Sequence, residues 1–187
     1  MSALIEGEAL ALVRGGCLLF EGLDLVVGPG DGLLLTGPNG SGKSSLIRLL
    51  AGLLLPTAGT IRRAASLALA DDYAALDREL QLGKALAFWA GPDLDAAMAQ
   101  LGMDRLAQVP VRFLSAGQLK RAALARVLAS GAPLWLLDEP LNGLDSDSVG
   151  RLEEAIATHR GSGGAVVAAS HTTLAGTWRS LKLGAAA

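Results

Sequence analysis

Aromatic residues supply only 4% of the 187-residue sequence, cysteine occurs once and histidine twice. A lone cysteine, Cys17, excludes an internal disulfide and cannot by itself make a metal site; it is expected as a small buried or half-buried side chain. No apolar run approaches the roughly 18 residues that span a bilayer. Arg48 interrupts the longest candidate, Leu46 to Leu55, and Pro56 closes it, so the chain itself is not expected to cross a membrane. The N-terminal MSALIEGEAL lacks a basic segment leading into an apolar one, so export is not expected and the cytoplasm is the expected compartment. Charge of one sign is missing too. The formal net charge is -2, its carriers are interspersed, and no nucleic-acid partner is expected.

What is present is apolar: 51% of the chain, mostly Ala, Leu and Val, enough for one well-buried core. That suits an α/β protein whose parallel sheet is covered on both faces. LALV, CLLF and LDLVV read as strands between glycine-rich turns, and GLLLT as a buried central strand. In GPNGSGKSSLIRLLAG the apolar spacing turns helical at Leu46, Leu49, Leu50 and Leu53, with Pro56 marking the end. From about Ser66 to Ser130 the chain reads as Ala-rich and helical, with GKALAFWAG, DLDAAMAQLG and the segment after LSAGQ as successive helices and Met98 and Leu101 in the packing. LWLLDEP then returns to a strand, residues 146–159 read as a helix, and AVVAAS as a strand ending at His171. This alternation predicts right-handed crossovers and a mostly parallel sheet.

Four segments carry chemistry. GPNGSGKS, Gly37, Pro38, Asn39, Gly40, Ser41, Gly42, Lys43 and Ser44, followed by Ser45, matches the phosphate-binding loop. Its glycines let the backbone wrap a polyphosphate, successive amides point at it, and the helix N-terminus adds its dipole. A glycine-rich turn can match by chance, but this one follows a strand and opens a helix. Lys43 would reach the β- and γ-phosphates of ATP and Ser44 would ligate Mg²⁺. In LWLLDEP two acids stand at the carboxyl end of a strand, where ligands sit in open parallel sheets. Asp138 suits the magnesium shell, directly or through water, and Glu139 suits a general base for the attacking water. His171 would lie beside the γ-phosphate if its strand runs next to those ending at the loop and at Asp138; His159, after a helix, reads as a solvated helix end. In FLSAGQLKRAALARVLASG, Ser115 reads as an N-cap followed by first-turn amides left free for an acceptor. The first three segments predict a nucleoside triphosphatase of the phosphate-loop class.

LSAGQ, LLDEP, LNGLD and SH, in this order and spacing, resemble the ATP-binding subunits of ABC transporters over nearly the whole chain. The resemblance implies a mostly parallel sheet with an N-terminal antiparallel β-subdomain and an inserted helical subdomain. The core is expected at 1–65 and 131–187 and the helical subdomain at 66–130, all within one ATP-binding domain. It also implies a homodimer in which Ser115, Gly117 and Gln118 of one copy meet the γ-phosphate on the other, with Asp145 ending the loop after the glutamate. Glu139 and His171 carry over as catalytic and switch residues, and Ser44 and Asp138 as magnesium ligands. Integral-membrane permease subunits would be the partners, at the cytoplasmic face of a bacterial inner membrane.

The departures are as telling. Ala116 stands where a glycine is usual. The adenine-stacking aromatic near the first strand has no counterpart, and Arg14 occupies about that place. The glutamine after the next strand is missing; SLALADDYAALD offers Asp71 or Asp72, and Asp72 is the expected magnesium contact. With RGGCLLFEGLDL and ALAFWAG, these features resemble the branch that serves the haem exporter of bacterial cytochrome c maturation. Haem itself would be cargo only indirectly, since the chain has no CxxCH. An importer or drug-exporter subunit, a soluble ABC-type ATPase and a phosphate-loop kinase are the alternatives. Neighbouring genes would separate the first, and a phosphoryl acceptor would mark the last.

Overall fold

A computed structural model describes residues 3–71, 76–89, 91 and 93–184. Strands β1 (Ile5–Arg14) and β2 (Cys17–Val27) form an antiparallel hairpin about Gly15 and Gly16, and β4 (Ala58–Arg63) pairs with the other edge of β1. CLLF and LDLVV are therefore one strand. Leu10 pairs with Leu23 and Leu12 with Phe20, so Glu21 and Gly22 bulge opposite Ala11, which lets the pairing continue through a glycine that reads as a break.

The second sheet has the order β5-β6-β7-β3-β8, from β5 (Leu67–Ala70), β6 (Leu134–Asp138), β7 (Ala165–Ala169), β3 (Gly32–Thr36) and β8 (Arg179–Lys182). β6 with β7, β7 with β3, and β3 with β8 are parallel. The solid apolar runs GLLLT, LWLLD and AVVAA are its interior strands, as two-sided burial requires. β5 corrects the helical reading of its segment. The sequence showed neither β4 nor β8, because both are largely exposed and give no apolar run.

The chain forms two compact units. The first takes the residues up to Leu69, Ala132–Glu139 and those from His159 onward; the second takes Ala70–Gly131 and Pro140–Thr158. Residues 140–158, grouped by sequence with the core at 131–187, thus lie in the second unit. In the first unit helix α1 (Lys43–Leu50) packs on β6 and β7 and buries Leu46, Ile47, Leu49 and Leu50 completely. Each such side chain contributes about 1.5–3 kcal/mol. Leu53, predicted on the same helix, lies beyond its end and is 62% exposed. Arg63 terminates α1 by donating to the carbonyls of Leu49 (2.7 Å) and Leu50 (2.8 Å). In the second unit α2 (Leu82–Ala87) and α3 (Leu94–Gln100) pack on α4 (Ala116–Leu128), with Met98, Leu101, Leu124 and Val127 buried. Helix α5 (Ser146–Gly161) begins in this unit.

Two readings of single residues change. Cys17 is exposed, because it flanks the hairpin turn. His159 is not a solvated end: its ring stacks on Trp135 with centroids 3.8 Å apart and planes 7° from parallel, and its Nε2 is buried without a partner among the described residues. Burial pushes the imidazole below its ordinary 6.5, against backbone hydrogen bonds at Pro133 and Ala165 that favour the proton. The unfolded chain therefore takes up this proton first as pH falls, so stability is full above 6.5 and is lost below it. Thermal melts should fall with pH below that value, and His159→Phe, which keeps the stack and removes the titration, should flatten that part of the profile. An unchanged profile in the variant contradicts this assignment.

Candidate functional site

In the first unit, β3 ends at Thr36 and the loop of residues 37–42 leads directly into α1 at Lys43. Gly42, which precedes the helix, has φ +97°, and a Cβ there would lie 3.1 Å from Leu19 Cβ and 3.3 Å from Phe20 Cδ1 of β2. Only glycine closes the loop onto that support. Pro38, Asn39 and Gly40 are exposed at the loop's tip, Gly37 is half-buried, and Ser41, Gly42, Lys43 and Ser45 are buried. Lys43 Nζ folds back to donate to the carbonyls of Gly37 (2.9 Å) and Pro38 (3.0 Å). Ser41 Oγ is buried without a partner among the described residues.

The parallel order sets β7 between β3 and β6. The loop, the acids at the end of β6 and the histidine after β7 therefore leave the sheet at the same edge, as the strand-neighbour condition for His171 requires. Ser44 Oγ donates to Asp138 Oδ1 at 2.9 Å. Glu139 holds a left-handed backbone, φ +44°, rare for a residue with a side chain and costing about 1–3 kcal/mol. Its amide donates to the Ala169 carbonyl (2.8 Å), which pins it to β7. Its Oε1 lies 3.2 Å from His171 Nε2, and its Oε2 accepts from the His171 amide at 3.4 Å. The strained residue thus aims its carboxylate at the histidine.

These groups fit a polyphosphate with Mg²⁺. A buried ammonium lies along a loop of amides, a buried hydroxyl there lacks a partner, and a hydroxyl–carboxylate pair supplies the hard oxygens that Mg²⁺ takes. Among the described residues no group of three or more His, Cys, Asp or Glu gathers. Asp72 lies outside the described residues. Its alternative, Asp71, is buried in the second unit.

In the second unit Ser115 caps α4. Its Oγ accepts from the Gln118 amide (3.2 Å) and its own amide donates to Gln118 Oε1 (2.8 Å), a reciprocal capping box. Of the first-turn amides read as free, that of Gln118 is therefore engaged; those of Ala116 and Gly117 stand outside the box. The Ala116 side chain is exposed, which explains how alanine is accepted there, whereas a Cβ at Gly117 would lie 2.8 Å from the Gly143 carbonyl. Ser115, Gly117 and Gln118 line a cavity of about 240 Å³ with Arg121, Gly143, Asp145 and Ser148. Asp145 Oδ1 accepts from the Ser148 amide at 2.8 Å at the start of α5. The Ser148 hydroxyl first, and then its amide, hold the Asp145 carboxyl below the usual carboxylate range, with Arg121 and Arg151 adding to the effect.

Three supports escaped the sequence reading. Leu19 and Phe20 lie beneath Gly42, the carbonyl of Leu183 lies against Gly37, and Arg121 stands beside Asp145. The alternation in RSLKLG, with Leu181 and Leu183 turned inward, is the signal that marks the second.

A family model described as ABC transporter matches residues 20–142. A protein of Sphingopyxis alaskensis named cytochrome c biogenesis ATP-binding export protein CcmA is 54% identical over 181 residues, covering 94% of this chain and 93% of its own. One of the same name from Novosphingobium aromaticivorans is 57% identical over 167 residues, covering 89% and 87%. A solved structure described as the ATP-binding subunit of an ABC transporter superposes with a TM-score of 0.82 at 22% identity, over 90% of this chain and 79% of that one, which shows the fold. Taken with the phosphate loop and the acids beside it, these likenesses mean that the chain belongs to the ABC transporter family, as an ATP-binding, ATP-hydrolysing subunit.

Proposed function

We propose that this chain is the ATP-hydrolysing subunit of the exporter of cytochrome c biogenesis, coupling ATP binding and hydrolysis to a membrane permease. The hydrolytic part is carried by one observation: Ser44 meets Asp138 and Glu139 meets His171 at the edge of the sheet from which the phosphate loop emerges. The biological part is supported by relatives of that name at 54% and 57% identity, each covered over most of its length.

Residues Gly37 to Ser45 cradle the phosphates of ATP through their amides, and Lys43 exchanges the carbonyls of Gly37 and Pro38 for phosphate oxygens. Ser44 and Asp138 would hold Mg²⁺, with Asp72 as the proposed further contact. The ion, when bound, neutralises charge on the β- and γ-phosphates. Glu139 orients water and accepts its proton, and His171 keeps that carboxylate in register. The whole of 1–187 acts as one ATP-binding domain, and two copies work as a homodimer. In it Ser115, Gly117, Gln118 and Asp145 serve the ATP held by the partner, through the Ser115 hydroxyl hydrogen and the amides outside the capping box. The chain sits on the cytoplasmic face of the inner membrane against its permease, and haem concerns it only through that partner.

No described helix is long and apolar enough to cross a membrane. In cells carrying Lys43→Ala as the sole copy, haem-stained c-type cytochromes should disappear, while the variant still co-purifies with its permease. Undiminished c-type cytochromes in those cells contradict the proposal.

A further inference from the structure

Helix α4 is anchored unevenly along its length. Its apolar burial begins at Ala122, whereas residues 116–119 are exposed or half-buried. The first buried side chain of the helix is a charged one, Lys120, 8% exposed. The nearest anchor behind the turn that carries Ser115 and Gly117 is therefore a cation. Lys120 lines a cavity of about 440 Å³ together with Ala116, Leu119 and Ala123 of the same helix face. Asp71, the residue after β5, lines it too; it is 8% exposed and, among the described residues, the one acid in the lining. A buried ammonium is retained where an opposite charge offsets its lost hydration, and Asp71 supplies that charge. Arg126 stands about two turns on from Leu119 on the same face of α4. Burial lowers the proton affinity of its guanidinium, and the charge of Asp71 opposes that effect. The acid and both cations lie in the second unit, whereas Ser44 and Asp138 lie in the first.

We propose, resting on the two-copy reading of the ATP site, that Asp71 is a positioning residue: through Lys120 and Arg126 it fixes α4, and so presents Ser115 and Gly117 to the ATP held by the partner. It takes no part in holding Mg²⁺. Two cations spaced along one helix face and offset by one acid oppose both rolling and sliding of the helix, since either motion draws a cation away from the carboxylate. Enclosure keeps water and salt from screening the attraction. Without the acid, the same face carries two cations that repel each other and the turn loses its anchor.

Rates of ATP hydrolysis by the full chain, measured against chain concentration and against Mg²⁺ concentration, test this beside ATP titrations that count the folded chains. In Asp71→Asn the concentration of folded chain at half-maximal rate should rise about tenfold, while the Kd for ATP and the Mg²⁺ concentration at half-maximal rate stay within about twofold. A loss of stability alone removes folded chains and leaves that midpoint in place. Asp71→Glu, which keeps the charge, should recover most of the shift. Arg126→Gln withdraws a cation instead of the acid; it should move the midpoint the same way, by about threefold, and carries the test where Asp71→Asn does not fold. An unmoved midpoint in Asp71→Asn or Arg126→Gln overturns the assignment. So does a failure of Asp71→Glu to recover, or a raised Mg²⁺ requirement in Asp71→Asn, which would mark a metal contact. An unaltered chain whose rate per chain is independent of concentration removes the two-copy reading instead.

Discussion

Glu139→Gln should lower the steady-state rate of ATP hydrolysis by about 10²–10⁴-fold, or about 2.7–5.4 kcal/mol in the barrier, with ATP binding retained. The amide keeps the size of the carboxylate and loses its capacity to take a proton. The backbone that positions it is held by the Glu139 amide on Ala169, which the substitution does not touch. Lys43, Ser44 and the loop amides are likewise unaltered, so nucleotide affinity should stay near that of the unaltered chain. Phosphate release and an ATP titration on the same preparation separate the two effects. A variant that hydrolyses ATP at the unaltered rate contradicts the general-base role.

Ser115→Arg should reduce hydrolysis to below about 1% while each chain still binds ATP. Ser115 is exposed and lies in the second unit, whereas the phosphate loop, Asp138 and Glu139 lie in the first. Losing the cap costs about 1 kcal/mol, too little to unfold the unit. The long cation would intrude on the 240 Å³ cavity where Gly117, Gln118 and Asp145 converge. Ser115→Ala loses the same cap and the hydroxyl contact to the partner's ATP but adds no bulk, so turnover between that of the unaltered chain and that of Ser115→Arg separates obstruction from the loss of cap and contact. Full hydrolysis by Ser115→Arg contradicts the role of this segment in a partner's site.

The first unit was legible in the sequence wherever burial is two-sided. Leu33–Leu35, Leu134–Leu137 and Ala165–Ala169 are apolar because their strands are interior to the sheet, and the chemistry follows each run within two residues: the loop after Thr36, Asp138 and Glu139 after Leu137, His171 after Ser170. β4 and β8 carry no such run and were missed. β2 read as two strands, since a bulge at Glu21 and Gly22 looks like a turn when its partner strand is unknown. Ser115 was found as a cap, while the reciprocal bond, in which Gln118 Oε1 accepts from the Ser115 amide, was not, because it depends on a side-chain conformation. The Trp135–His159 stack joins residues 24 positions apart by number and leaves no local pattern. Glu139's left-handed backbone is equally silent, accompanied as it is by a hydrogen bond to a neighbouring strand that no local pattern marks.

The most direct measurement is the specific rate of ATP hydrolysis by the purified chain, with Mg²⁺, as a function of its concentration. A site completed by Ser115 and Gly117 of a second copy requires the rate per chain to climb with concentration and level off as dimers form. A rate per chain that is the same at every concentration, in a chain that stays monomeric with ATP bound, would contradict it.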